Sequence, residues 1–234
     1  MIDRLSRIPN PLTPLGYTEE DLFSDGFFGA VCARAGVGKT AFLVQLALWA
    51  ISNEQNALHI SLRDPFKKVD LWYMDIFKNL ARQMEVKDPV HTWETLLPQR
   101  FIMTFKVEGF SVPKLEERMT DLMNQGIFFP NVIFIDGLSL EETGRKSLSE
   151  LKDLARAHHC NVWFSVRINQ YSQDLQGSAI PRPVEDFSDL FNSIILLEGF
   201  SDQIQVKNLK GGSGELPLKS ICIDPSTQLL IPGK

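Results

Sequence analysis

The 234-residue sequence has few cysteines, no long apolar run and no excess of basic residues. Its three cysteines, Cys32, Cys160 and Cys222, form an odd, sparse set, each in or beside an apolar stretch. This pattern predicts buried free thiols in a reducing compartment and not a disulfide framework. A membrane-spanning helix needs about 20 apolar residues, and no apolar run in the sequence approaches that length. The first residues, MIDRLSRIPNPLTPLG, lack the apolar core of a signal peptide. A cytoplasmic location is expected.

The charge balance argues against a dedicated nucleic-acid-binding protein. The formal net charge is −5, whereas proteins that grip a phosphate backbone usually carry a basic stripe. Hydrophobic residues make up 44% of the chain and charged residues 23%, which is typical of a globular domain. The length is close to the upper size of a single core. We therefore expect one domain over residues 26–234, preceded by a surface segment over residues 1–25 that is rich in proline and charge.

Strand-like and helix-like segments alternate along the chain. Short apolar runs predict strands at 26–33, 57–62, 100–105, 131–136, 161–166, 190–197, 202–209, 218–224 and 228–233. Apolar spacing and end signals predict helices at 39–52, 65–84, 111–126 and 145–160, with an irregular stretch at 85–99. This order predicts an α/β fold in which helices flank a mostly parallel sheet and antiparallel strands complete it at the C-terminal end.

A glycine-rich stretch, ARAGVGKTA, follows the first predicted strand and opens the first long helix. It nearly matches the phosphate-binding pattern G-x-x-x-x-G-K-[ST], with alanine in place of the first glycine. That position only has to supply a turn, which alanine makes if φ stays negative. The backbone amides and the helix N-terminus would favour phosphate. The candidate nucleotide-binding residues are Ala33, Arg34, Ala35, Gly36, Val37, Gly38, Lys39, Thr40 and Ala41.

Three side chains are candidates for the chemistry of a bound nucleotide. Lys39 would contact the β- and γ-phosphates, and Thr40 would offer a hydroxyl group to Mg²⁺. Asp136 ends the apolar segment NVIFID and would help to hold the same metal. A strand that ends in aspartate is weak evidence alone, but it becomes strong evidence downstream of such a loop. The expected cofactors are therefore Mg²⁺ and a nucleoside triphosphate.

With these motifs the chain resembles the RecA-like P-loop ATPases, and most of all the DnaB-type replicative helicases and their KaiC-like relatives. The resemblance covers roughly residues 20–232. ARAGVGKTAF is similar to the form of the loop that opens with alanine and arginine in the DnaB-type proteins. HISL, residues 59–62, is similar to the strand that precedes their catalytic glutamate. The resemblance implies a RecA-like P-loop NTPase fold and ATP as the nucleotide, since no motif in the sequence specifies the base.

The chain departs from the family pattern at the catalytic positions. Where the resemblance implies a catalytic glutamate, the sequence has Arg63 followed by Asp64. A guanidinium group cannot accept a proton from the attacking water, but Asp64 could do so if the end of the strand shifts by one residue, which makes Asp64 the candidate base. Lys39 is the second candidate catalytic residue. Where the family carries a phosphate-sensing glutamine, Val166 stands here, followed by Arg167. Binding residues are kept, whereas residues for hydrolysis are altered.

The segment VKNLKGGSGE, residues 206–215, is similar to the one through which a subunit reaches its neighbour's nucleotide. Leu209 stands where the resemblance implies an arginine, which leaves Lys207 and Lys210 as candidates. A hairpin tip at residues 211–212 would let both lysines project, or the segment would be a flexible surface hairpin. We expect at most weak self-association through these lysines.

The resemblance implies a DNA-contacting loop near residues 169–189, but acidic side chains dominate this stretch. We therefore do not expect nucleic acid as a partner. The sequence predicts an intracellular Mg-ATP-binding protein, either a slow ATPase or a nucleotide-dependent regulator. Two alternatives stay open: a DNA helicase or recombination ATPase, and a pseudo-ATPase scaffold in which Arg63 permanently occupies the catalytic corner.

Overall fold

A computed structural model describes residues 8–22, 24–106, 109–168, 180–200, 203–212 and 221–232. The α-helices in these ranges are α1 (Glu19–Leu22), α2 (Lys39–Ser52), α3 (Phe66–Gln83), α4 (Pro89–Leu96), α5 (Val112–Asn124) and α6 (Leu140–Ala157). The strands are β1 (Phe28–Ala33), β2 (Ala57–Ser61), β3 (Arg100–Thr104), β4 (Val132–Asp136), β5 (Asn161–Arg167), β6 (Ser193–Phe200), β7 (Gln203–Lys210), β8 (Ile221–Ile223) and β9 (Leu230–Pro232).

The strands form one nine-stranded sheet in the order β3-β2-β4-β5-β1-β6-β7-β8-β9. Pairing is parallel from β3 through β6 and antiparallel from β6 through β9. This confirms the predicted α/β architecture, with a mostly parallel sheet and antiparallel C-terminal strands. The carboxyl ends of β1, β2, β4 and β5 consequently meet at one edge of the sheet, where ligands bind in open α/β sheets.

Helices cover both faces of the sheet. Residues of α2 and α3 pack in one core cluster, and residues of α5 and α6 pack in the other. Within the described ranges, no helix combines the length and the apolar character needed to cross a membrane.

Helix α2 is the most deeply buried helix, as its nearly continuous apolar sequence predicts. Every residue from Ala41 to Ser52 is buried. The one long polar side chain within this buried stretch, Gln45, donates to the carbonyl of Gln228 over 2.7 Å and accepts from the amide of Leu230 over 3.0 Å. These bonds satisfy a buried polar group and tie the helix to the turn that precedes β9.

The N-terminal segment, expected to lie on the surface, is partly buried in the structure. Its described part contributes five side chains to the core: Ile8, Leu12, Leu15, Tyr17 and Leu22. The Tyr17 hydroxyl lies 2.6 Å from Ser193 Oγ and 2.8 Å from the carbonyl oxygen of Lys210. Residues 8–22 are therefore part of the packed domain, because their apolar side chains face its core.

Helix α1 has no counterpart in the sequence-based expectation, and α4 and α6 also differ from it. Helix α4 lies in the stretch that was expected to be irregular. Its N-cap Asp88 accepts a hydrogen bond from the amide of His91 over 3.0 Å, and a proline occupies its first turn. Helix α6 begins at Leu140 instead of Arg145, because Ser139 caps it, and the backbone kinks at Gly144.

Candidate functional site

The glycine-rich loop lies between the end of β1 and the first turn of α2. Gly36 and Gly38 have φ angles of 78° and 94°, in the left-handed region that glycine adopts without strain. The loop therefore needs glycine at these two positions. Ala33 remains in the strand, pairs with Arg167 of β5 and is fully buried. Its φ angle is not positive, so the backbone at Ala33 makes no demand for glycine.

Lys39 reaches back over this loop. Its ammonium group donates to the carbonyl oxygen of Ala33 over 3.0 Å and to that of Arg34 over 2.8 Å. Both acceptors are neutral, so the positive charge of Lys39 is held above the loop without a direct ion pair. Charged phosphate oxygens would be stronger acceptors than these carbonyls.

Asp136 is the polar centre of the carboxyl edge. The Thr40 hydroxyl donates to Asp136 Oδ2 over 2.7 Å, and the Ser165 hydroxyl donates to Asp136 Oδ1. Ser165 in turn accepts a hydrogen bond from the amide of Gly137 over 2.9 Å. The sequence-based prediction of Thr40 and Asp136 as neighbours is met by this geometry, whereas Ser165 was missed. Its only sequence signal is a hydroxyl group among the apolar residues in the middle of β5.

Register explains why these groups converge. Asp136 of β4 pairs with Ser61 of β2 on one side and with Ser165 of β5 on the other. The three residues form one row across the ends of adjacent parallel strands, and the first turn of α2 lies close to that row through Thr40.

A cavity of about 180 Å³ lies over this row. Its lining residues are Ala35, Lys39, Thr40, Ser61, Arg63, Asp64, Asp136, Gly137, Leu138, Ser165 and Arg167. The fold thus brings together the predicted candidates Lys39, Thr40, Asp64 and Asp136. Of the other predicted loop residues, only Ala35 lines the cavity. Ala33 and Ala41 are fully buried beneath the loop, and Val37 packs against the core.

Cations outnumber carboxylates near the centre of the cavity. Burial lowers the pKa of the Lys39 ammonium group; nearby Asp136 opposes this change, and the guanidinium groups of Arg167 and Arg63 add to it. Cations held close together repel one another, and an anionic ligand relieves this repulsion. The cavity is therefore suited to a highly charged anion.

Asp64 lines the cavity but is restrained by its neighbours. Its amide donates to Ser61 Oγ over 3.1 Å, and its carbonyl accepts from the same hydroxyl over 2.8 Å. Its carboxylate forms an ion pair with Lys68 at 2.9 Å. Asp64 also lines a neighbouring groove with Lys106. The carboxylate is thus at the edge of the cavity and already has a cationic partner.

The predicted neighbour-reaching lysines are bonded within their own chain. Lys207 pairs with Glu198 at 2.5 Å, and Lys210 donates to the carbonyl of Ser188 over 2.8 Å. A Cβ atom on Gly211 would lie 2.5 Å from the carbonyl oxygen of Asn192. Gly211 thus lies against the domain, while both glycines remain exposed, and the projecting tip stays a prediction. Residues 213–220 lie outside the described part of the chain.

The acidic stretch predicted at the DNA-contacting position is described only in part, since residues 169–179 lie outside the described ranges. In the remainder, Asp189 forms an ion pair with Arg145 at 2.7 Å, and Glu185 lies 3.7 Å from Arg182. The basic side chains here are thus partly neutralised by acidic neighbours.

No family model matches the chain, and no curated protein matches it either. A functional proposal for this chain therefore depends on its own residues and their geometry.

Proposed function

We propose that the chain is a RecA-like P-loop protein that binds ATP with Mg²⁺, and that it acts as a slow ATPase or as a nucleotide-dependent regulator. The observation that carries the proposal is the convergence of Lys39, Thr40 and Asp136 at one cavity beside a glycine-rich loop and the N-terminus of α2. The RecA-like assignment and the choice of ATP rest on the sequence resemblance.

The charge of the cavity supports a polyphosphate ligand. Lys39, Arg63 and Arg167 line it, and the loop amides together with the positive end of the α2 dipole add to their attraction for anions. Neutral ligands would leave the repulsion among these cations uncompensated. A triphosphate supplies several negative charges along one chain and would satisfy them together.

The residues present also fit a magnesium ion. Mg²⁺ prefers oxygen ligands and is commonly held by one or two protein oxygens, waters and phosphate oxygens. The Thr40 hydroxyl and the Asp136 carboxylate are such oxygens, and they lie 2.7 Å apart. When bound, the ion would neutralise phosphate charge. Ser165 keeps the carboxylate oriented by donating to its other oxygen.

The state of Asp64 favours slow hydrolysis or none. A general base must accept or orient a proton of the attacking water, but the Asp64 carboxylate is already paired with Lys68. This ion pair supports a second form of the proposal, in which the chain binds nucleotide and changes partners or conformation without fast turnover.

Calorimetric titration with a non-hydrolysable ATP analogue, with and without Mg²⁺, tests the proposal. Lys39→Ala should weaken binding roughly ten- to a hundredfold, since a charge-assisted hydrogen bond is lost. Asp136→Asn should reduce the dependence on Mg²⁺. Lys146→Ala is the matched control, because its side chain is 91% exposed on α6 and does not line the cavity. Equal affinities for wild type and Lys39→Ala would disprove the site.

A further inference from the structure

Two arginines flank the row of polar residues at the carboxyl edge. Arg63 lies two residues beyond Ser61 at the end of β2, and Arg167 lies two residues beyond Ser165 at the end of β5. Since β2 and β5 are the two neighbours of β4, the two arginines lie on opposite sides of the end of β4. Both line the same cavity.

Neither arginine is engaged elsewhere. In the described part of the chain, the side chains of Arg63 and Arg167 form no hydrogen bond and no ion pair. By contrast, Arg100 contacts Asp70 at 2.6 Å, and Arg145 contacts Asp189 at 2.7 Å. Both cavity arginines are exposed, so their guanidinium groups are accessible to a ligand.

The backbone makes room for the Arg63 side chain. Gly137, directly after Asp136, has a φ angle of 93°, and a Cβ atom there would lie 3.0 Å from Arg63 Cγ and 3.1 Å from Cδ. The aliphatic part of Arg63 therefore crosses over a glycine, which directs the side chain across the end of β4. A larger residue at Gly137 would displace it.

We propose that Arg63 and Arg167 form a two-sided clamp for the terminal phosphate of the bound nucleotide, and that this clamp distinguishes a triphosphate from a diphosphate within a single chain. The clamp rests on the proposed nucleotide site. Lys39 and Thr40 would hold the end of the phosphate chain between the two arginines, where each planar guanidinium group can donate two parallel hydrogen bonds. No residue of a second subunit is needed to complete the site.

The clamp predicts a selective effect of mutation. We expect Arg63→Ala and Arg167→Ala each to lower affinity for the Mg²⁺ complex of a non-hydrolysable ATP analogue by about tenfold, and the double variant by about a hundredfold. Affinity for Mg-ADP should change less than about twofold in all three variants, because a diphosphate does not reach the clamp. Arg82→Ala, at the last turn of α3, removes a guanidinium group elsewhere and is the control.

Calorimetry on the full chain measures the affinity of each variant for both ligands. Circular dichroism and a thermal melt verify that each variant folds. The wild-type titrations are repeated at decreasing protein concentration while light scattering reports the mass. An unchanged preference for the triphosphate at the monomer mass supports the clamp.

Three outcomes overturn the clamp. If wild type binds neither nucleotide, both the proposed function and the clamp fail. If binding depends on Lys39 but the arginine variants keep the wild-type ratio of triphosphate to diphosphate affinity, only the clamp fails. A triphosphate preference that disappears on dilution to the monomer would show that a second subunit supplies the discrimination.

Discussion

The hydroxyl group of Thr40 donates a 2.7 Å hydrogen bond to Asp136, although 96 positions separate the two residues. This bond connects the first turn of α2 to the end of β4. It is charge-assisted, and such bonds stabilise a fold by about 1.5–3 kcal/mol. The free protein therefore already uses the pair of oxygens that we propose as magnesium ligands.

A double-mutant cycle should detect this connection. We expect Thr40→Val and Asp136→Asn to be non-additive in the free energy of unfolding, with a coupling of about 1 kcal/mol or more. Denaturant titration of the two single variants and the double variant measures it. Thr40→Ser keeps the hydroxyl group and should keep the coupling. Additive effects would mean that the bond contributes nothing to stability.

Hydrolysis, where it occurs, should be slow and should depend on Asp64. Asp64→Asn removes the candidate base without removing a phosphate contact, so turnover should be lost while nucleotide affinity stays within about twofold. Phosphate release in single-turnover assays provides the measurement. A fast rate that survives the substitution would place the base elsewhere, with Glu141 and Glu142 in the first turn of α6 as the next candidates.

Stability should fall in mild acid because of His59. Burial lowers the pKa of this imidazole to about 4 from its ordinary 6.5, reinforced by Arg100 and opposed by Asp136. The unfolded chain therefore binds the proton first as pH falls from about 6.5 towards 4, and up to roughly 3 kcal/mol of stability is lost in that window.

The variant His59→Gln should flatten this pH dependence, since glutamine does not titrate and its amide can keep a contact with the Tyr73 hydroxyl, now 3.1 Å from His59 Nδ1. Denaturant titrations at several pH values give the free energy of unfolding of each variant, and its slope against pH is compared with that of wild type. The exposed His91 supplies the control His91→Gln, which should leave the slope unchanged. An equal slope in wild type and His59→Gln would contradict the assignment.

Affinity for single-stranded DNA should be weak at physiological salt, with or without ATP. The chain has a net charge of −5, and each phosphate contact depends on a basic side chain that releases counterions. Fluorescence anisotropy titrations at several salt concentrations test this. Tight, salt-sensitive binding would favour the helicase or recombination alternative.

Self-association should be at most weak, with or without Mg-ATP. Lys207 and Lys210 are bonded to Glu198 and to the carbonyl of Ser188 in their own chain, so contact with a neighbour would require these bonds to break. Light scattering over a concentration series measures the mass. A stable hexamer without nucleotide would contradict the prediction, and Lys207→Ala would then show whether this lysine contributes.

Local signals were sufficient to predict most of the elements and part of the site. Helix α2 spans the predicted residues 39–52. A glycine-rich turn precedes its apolar run, and Asn53 caps its C-terminal end. The proximity of Thr40 and Asp136 was predictable because parallel strands and the helix after β1 meet at one edge. The cap and proline at Asp88–Pro89 are signals for α4, but the polar, weakly periodic sequence around them is typical of an irregular segment.

Other features depended on contacts between residues far apart in sequence. The hydroxyl of Ser165 becomes a partner of Asp136 only through the register of β4 and β5. Burial of the N-terminal segment depends on Tyr17, which contacts Ser193 and Lys210 across the fold. Glycines at 211–212 suggested a free turn, whereas the close approach of the Asn192 carbonyl explains why a small residue is needed at Gly211.

Helix α2 has a mechanical consequence for the site. Its first turn carries Lys39 and Thr40, while the turns behind them are buried on all sides and bonded through Gln45 to the turn before β9. A shift of the helix would disturb close packing throughout one half of the domain. The floor of the cavity is therefore rigid, and we expect a ligand to be accommodated by its walls, through rotation of the long side chains at the ends of β2 and β5.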